Sequence, residues 1–134
     1  MARSRVVQPE TERLPLSEGD WILVKKTLTY GDTAKSRAVL VKEIRTDGRV
    51  TPDFELVEIA QVLSYLVDWS FVDPTGKRIP IDTESKKLSA INSLEQKSVR
   101  ELIDVVDAYA TAQDAARSAE KNDQTGSPES DKTS

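Results

Sequence analysis

Hydrophobic and polar positions along this chain change period several times, and each change marks a predicted element. The longest apolar stretch runs from 52 to 69. At about 100° per residue, Leu56, Ile59, Ala60, Leu63, Leu66 and Val67 share one broad face, while Val62, Tyr65 and Trp69 gather on a second, separate one. Glu55, Glu58, Gln61, Ser64 and Asp68 form only an interrupted polar stripe. Thr51-Pro52-Asp53 supplies a capping hydroxyl, a proline at the first helical position and an acid in the first turn. The pattern predicts a helix over 52–69 with two apolar sides. Such a helix is either enclosed on both sides or enclosed on one and open to a partner on the other.

Upstream, residues 1–13 are charged and without period, which predicts a flexible arm. Trp21 to Val24 is a β-prone run preceded by the turn residues Ser17-Glu18-Gly19-Asp20. Alternation there sets Ile22, Val24 and Leu28 on one face, with Trp21 and Leu23 on the other. Gly31-Asp32-Thr33 ends that strand and offers Asp32 or Thr33 as a helix cap. Residues 34–45 carry both signals: Val39, Leu40, Val41 and Ile44 suit a strand, and Ala34, Lys35, Arg37, Ala38, Lys42 and Glu43 suit a helix. Downstream of Trp69, Asp73-Pro74-Thr75-Gly76 sits between β-prone flanks and predicts a short hairpin over 70–81, with Pro80 holding its second strand at an edge. Asp82 or Thr83 caps a short helix containing Leu88 and Ile91, and Ser93-Leu94-Glu95-Gln96 has capping-box spacing. A last helix from 94 to about 118 shows the stripe Val99, Leu102, Ile103, Val106, Tyr109 and Ala110. From Arg117 onward only small or polar side chains remain, which predicts a disordered tail. The expected fold class is therefore mainly α. A small helical domain over 14–116 carries an N-terminal strand and a short β-hairpin, between the arm 1–13 and the polar tail 117–134.

Composition narrows the chemistry. A chain of 134 residues is one domain by length. It has no Cys and no His, which removes disulfides, thiolate chemistry, the commonest general base and the commonest metal ligand. The net charge of −4 is uneven. Residues 1–50 carry 10 Lys/Arg against 7 Asp/Glu, net +3, and residues 51–134 carry 9 against 16, net −7. A basic front and an acidic back are compatible with head-to-tail self-association, although ordinary solvated charge explains them as well. A duplex-DNA binder needs a denser basic stripe. No apolar run reaches the ~20 residues that span a bilayer, and the N-terminus lacks a secretory apolar stretch. Neither a nucleic-acid nor a membrane partner is expected, and the cytoplasm is the expected location.

Candidate chemistry is sparse. Asp68 and Asp73 flank the corner after the long helix, but Asp68 belongs to its polar stripe and Asp73 is a common turn starter. Gly76-Lys77 lacks the glycine and hydroxyl of a phosphate loop. No catalytic residue, cofactor or metal is expected. The apolar surplus is the more informative feature: Trp21, Val62, Tyr65, Trp69 and Phe71 are the candidate partner-binding residues, weighed against a plain core role.

The run YLVDWSFVDPTGKRIPI (65–81) resembles a recurring segment of the tail assembly chaperones of long-tailed bacteriophages. Its setting is similar too: WILVKKTLTYGD and a helix before it, and a short and then a longer helix with a polar tail after it. The likeness covers about residues 14–122. Family members often carry a His near the end of the last helix, where Tyr109-Ala110-Thr111 stands here. The resemblance implies a non-enzymatic helper that binds the tape-measure protein, assists tail-tube protein polymerisation in the host cytoplasm and is absent from the mature virion. It also implies that a longer frameshifted form can extend the polar C-terminus. The rival expectations are a virion structural or connector protein, and a small DNA-binding regulator that reads 34–69 as a helix-turn-helix.

Overall fold

The computed structural model describes residues 5–47 and 54–125, with side chains described over 5–41 and 57–119. Its elements are β1 (Thr11–Pro15), a 3-10 turn (Ser17–Gly19), β2 (Trp21–Lys25), α1 (Tyr30–Asp47), α2 (Phe54–Tyr65), β3 (Leu66–Trp69), α3 (Glu84–Asn92) and α4 (Gln96–Thr125). The expected class, mainly helical with a small β part, is the one that forms. The expected helix start at Thr51-Pro52-Asp53 lies outside the described residues.

The β part differs from expectation in an instructive way. It is a three-stranded antiparallel sheet in the order β1-β2-β3. The first strand occupies the end of the expected arm, pairing Thr11 with Lys25 and Pro15 with Trp21. Only Leu14 in this strand is a large apolar residue, so its own pattern is silent and the open edge of β2 recruits it. Pro15 sits where an edge strand tolerates proline. The intervening turn carries two left-handed residues, Glu18 (φ 57°) and Gly19 (φ 81°). Glu101 of α4 steadies it by accepting hydrogen bonds from the Ser17 amide (2.7 Å) and hydroxyl (2.9 Å).

The predicted helix over 52–69 ends early. Tyr65 is its last helical residue, and Leu66–Trp69 becomes β3 with no intervening loop. Ile22 faces Trp69 and Val24 faces Leu66, with a bulge at Leu23/Val24. Val67 and Trp69 favour strand backbone, and the second edge of β2 has amides that need partners, so tertiary pairing overrides the helical period. Ser70 fixes the strand end. Its hydroxyl accepts from the Trp21 amide (2.9 Å) and donates to Asp20 (2.8 Å), and its amide donates to the Trp21 carbonyl (3.0 Å).

The segment 70–81 is less regular than the predicted hairpin, with one bridge, Val72 to Arg78. Its turn forms as expected: Asp73 accepts from the Thr75 hydroxyl and the Thr75 and Lys77 amides, and Gly76 takes φ 88°. The Trp69 indole N–H donates to the Ile79 carbonyl (3.0 Å) and its ring meets Phe71 at 5.0 Å, which ties this segment to the core.

Residues 34–45 resolve as helix. The cap of α1 is Thr29 rather than Asp32 or Thr33. The Thr29 hydroxyl accepts from the Asp32 amide (3.0 Å), and the Asp32 carboxylate accepts from the Thr29 amide (2.9 Å) and from the Lys25 ammonium. This reciprocal box is stronger than either lone cap because two orphan donors are met at once. Ser36 and Ser64, both buried, join α1 to α2. The Ser64 hydroxyl donates to the Ser36 oxygen (3.0 Å) with the Ala60 carbonyl also in reach, and the Ser36 hydroxyl donates to the Asp32 carbonyl (3.1 Å).

In α3, Thr83 caps as expected by accepting from the Lys86 amide (3.1 Å). Ser93 does not cap α4; its hydroxyl closes α3 by donating to the Ala90 carbonyl (2.7 Å). The stripe on α4 falls as read, with Leu102, Ile103, Val106 and Ala110 buried and Val99 and Tyr109 packed at its margin. The helix continues past Arg117 to Thr125, through the start of the expected polar tail.

The core draws on every layer: Ile22 and Val24 from β2, Leu63 from α2, Leu66 and Trp69 from β3, Leu102 and Val106 from α4. Among the described residues one charged side chain, Lys87, is buried in it. The Lys87 ammonium donates to the Leu63 carbonyl (3.0 Å) and to Glu84 (3.1 Å). It thereby satisfies the last turn of α2, which has no glycine cap because the chain turns straight into β3. Burial pushes the Lys87 ammonium below the usual lysine range, with Glu84 pulling partway back.

Two outcomes are expected. Lys87→Met keeps the aliphatic stem and leaves the Leu63 carbonyl and Glu84 without their donor, so unfolding free energy should drop by about 2 kcal/mol. The drop is read as a lower urea midpoint at constant slope; an unchanged midpoint would show that the ammonium contributes nothing there. The second concerns acid. Burial alone raises the Asp32 carboxyl, but the Lys25 and Thr29 hydrogen bonds outweigh it, and the group titrates below its ordinary 3.8. A depressed folded pKa stabilises the fold fully above the unfolded value, and that contribution disappears as pH falls through the folded value. Urea unfolding from about pH 5 to about pH 2 should show a shallower acid loss in Asp32→Asn than in the parent. Identical acid limbs would contradict this role.

Candidate partner-binding groove

The five candidate partner-binding residues do not come together on an accessible face. Val62 (1% exposed), Tyr65 (5%) and Trp69 (0%) are core. Tyr65 meets Tyr109 edge-on at 6.0 Å, and Phe71 is half-buried against Trp69. This corrects the expected docking face, and the cause is the early end of α2. A helix through Trp69 carries Val62, Tyr65 and Trp69 on one outward side, whereas the strand starting at Leu66 turns Trp69 to the inner side of the sheet, opposite Ile22.

Trp21 alone lies apart from the core, half-buried on the outer side of the sheet. The Arg13 guanidinium stands 4.0 Å and the Arg78 guanidinium 5.1 Å from its ring centroid. Beside it, Leu23, Val67, Ile79 and Pro80 line an open hollow of 520 Å³. The charges around that hollow are matched internally, Arg78 with Asp68 (3.1 Å) and Lys86 with Asp82 (3.1 Å). Little is left there to select a guest.

A larger groove of 690 Å³ lies on the helical side, between α1, α2 and α4. α2 supplies Val57, Ala60, Gln61 and Ser64, α4 supplies Ala110, Asp114 and Arg117, and α1 supplies Thr33 and Arg37, with Leu28 closing one end. Tyr65, one of the five candidates, also lines this groove beside the small side chains of Ala60, Ser64 and Ala110, and Val57 stands 67% exposed above them. The Arg37 guanidinium lies 5.8 Å from the exposed Tyr30 ring, and Arg117 is paired with Asp114. Among the described lining residues the walls hold two guanidiniums and one carboxylate, and Arg117 is the guanidinium that this carboxylate pairs.

Sequence reading passed over this groove because its α2 face looks weak in isolation. Val57 is a single valine, and Ala60, Gln61 and Ser64 read as filler. The available signal was the small pair Ala60 and Ser64 at i, i+4, beside Ser36 and Ala110 on neighbouring helices, which marks close helix approach. The two acids at the corner are structural. Asp68 accepts from the Trp69 amide (2.9 Å) and Arg78, and hydrogen bonds led by the Thr75 hydroxyl hold the Asp73 carboxyl below its ordinary value. Among the described residues, no group of three or more Asp or Glu is placed to hold a metal ion, and no helix is long and apolar enough to cross a membrane. Comparison with protein-family models, with curated proteins and with solved structures finds no match to this chain.

Proposed function

We propose that this protein is a tail assembly chaperone of the long-tailed bacteriophage type, a non-catalytic helper that binds the tape-measure protein and assists polymerisation of tail-tube subunits. The observation that carries the reading is the 65–81 segment, YLVDWSFVDPTGKRIPI, in its setting of strand and helix before and two helices after. In the fold this segment is the joint between the helical layer and the sheet, anchored through Trp69 and Ile79. Its role is to hold the scaffold, and contact with the client falls to another surface.

The groove between α1, α2 and α4 supports a client-holding role on physical grounds. A holder of a long, helical, aggregation-prone chain must cover an apolar stripe and then release it. An apolar floor of small residues gives modest burial per contact and therefore weak, reversible binding. The net charge of −4 favours solubility of the loaded complex.

The test is co-expression with the tape-measure protein of the same tail gene set. The expected result is that soluble tape-measure protein rises severalfold and co-purifies with this chain, and that mass spectrometry of finished particles lacks it. Stoichiometric presence in purified particles, with no effect on tape-measure solubility, would overturn the reading and leave a virion structural part instead.

A further inference from the structure

We infer that the segment 10–17 exchanges between two copies of this chain, each copy's β1 lying on the β2 of the other, with Glu18-Gly19 as the hinge. The inference rests on the sheet and does not depend on the tail-assembly reading.

The fold itself shows what covers this edge of β2: Thr11–Pro15 of the same sequence, in a fixed register. A second copy brings an identical strand, so the same contacts are open to it. Little of that strand is apolar burial. β1 is exposed at four of its five positions, and Leu14 is the one partly buried residue. Directional contacts hold it instead. The Lys26 amide donates to the Glu10 carbonyl (3.0 Å), Glu12 accepts from the Tyr109 hydroxyl (3.1 Å), and the Arg13 guanidinium lies 4.0 Å from the Trp21 ring centroid. The Ser17 amide and hydroxyl both donate to Glu101. The groups that 10–17 contributes all precede residue 18, so the segment travels as a unit and re-forms these contacts on the partner.

Strain in the closed form sits at the hinge. Glu18 and Gly19 follow one another in the left-handed region, at φ 57° and 81°. A glutamate is held there only at a cost. Both angles serve to fold the chain back so that the Leu16 amide reaches the Asp20 carbonyl (2.7 Å). An extended link needs neither. The register also says what the opened form is. Pairing of Thr11 with Lys25 and of Pro15 with Trp21 is centred on residue 18. Straightening the link therefore makes one strand over 11–25, which pairs with a second copy in the same register about a two-fold axis at Glu18. Two Glu18 carboxylates face each other at that axis, and like charges placed opposite one another weaken a ladder. Hinge strain drives the exchange and the Glu18 charge restrains it, so the closed monomer dominates in dilute solution at low salt.

The experiment uses the full-length protein, which has no cysteine of its own. Arg13 lies opposite Leu23. The Glu10–Lys26 and Leu16–Asp20 bonds put the ladder hydrogen bonds on even residues, so this odd pair is of the kind whose side chains come closest. In Arg13→Cys with Leu23→Cys, oxidation links β1 to β2 within one chain in the closed form and between chains in the exchanged form, which non-reducing electrophoresis separates. The interchain fraction should rise with protein concentration and with salt. Gly19→Val added to this pair should tighten dimerisation at least about tenfold. A Cβ at Gly19 meets nothing within 4 Å, so valine there opposes only the left-handed angle. Gly76→Val is the control, since Gly76 has φ 88° and equally empty surroundings in a different turn. It should lower Tm and leave the chain monomeric. Glu18→Thr, which removes the facing carboxylates and disfavours the left-handed angle, should dimerise like Gly19→Val and lose the salt dependence. Disulfides that stay within one chain at every concentration, or equal behaviour of Gly19→Val and Gly76→Val, would overturn the proposal. So would a Gly19→Val chain that fails to fold, because the exchanged form needs no turn at that position. A dimer whose disulfides remain within each chain would place the contact elsewhere and overturn it too.

Discussion

The fold turns on one indole. Trp69 is fully buried, donates its N–H to the Ile79 carbonyl and packs against the tilted ring of Phe71. In those contacts the last residue of β3, the irregular segment 70–81 and the inner side of the sheet become one body. The indole can be there only because α2 stops at Tyr65 and the chain continues as strand, setting Trp69 opposite Ile22. A helix that becomes a strand without a loop leaves its last carbonyls exposed to an apolar interior. The Lys87 ammonium meets one of them, at Leu63, and Glu84 balances its charge. An apolar side chain at that position would pack equally well but would leave a buried carbonyl without a donor.

Polar contacts of this kind fix the relative placement of layers that apolar packing alone leaves loose. Ser36 and Ser64 set how close α1 lies to α2, Ser70 sets the end of the sheet, and the Tyr109 hydroxyl reaches Glu12 (3.1 Å) to tie α4 to β1. Each joins elements far apart in sequence. The same closeness of α1 and α2, with small residues at the contact, shapes the floor of the groove. The groove is thus a by-product of how the core closes, and its charged walls are side chains that the core does not use.

Most of the helical part could be read from period alone. The stripe of α4, the Thr83 cap, the Asp73–Gly76 turn and the inner face of β2 all fall where alternation and spacing put them. The errors share one cause. β1, the end of α2 and the cap of α1 are decided by residues distant in the chain, namely the two open edges of β2 and the Lys25–Asp32 pair. Leu66-Val67-Asp68-Trp69 continues a good helical wheel, so nothing local announces the change of period. That change of period decides between the two readings left open for Val62, Tyr65 and Trp69, and it places all three in the core. The opening on the Val57 side of α2 is lined by Tyr65, which the pattern singled out, together with side chains such as Ala60 and Ser64 that are too small to stand out in a one-dimensional reading.

The aromatic joint is closed, and the helical groove behind it is the surface proposed for partner contact. Deuterium exchange of the two indole N–H groups, followed by NMR, measures that closure directly. The account predicts that the Trp69 indole exchanges as slowly as core amides such as Ile22 and Leu102, at the rate of global unfolding. The half-exposed Trp21 indole should exchange orders of magnitude faster. A Trp69 indole that exchanges as quickly as that of Trp21 would contradict the closed joint, and with it the placement of the contact surface on the other side of α2.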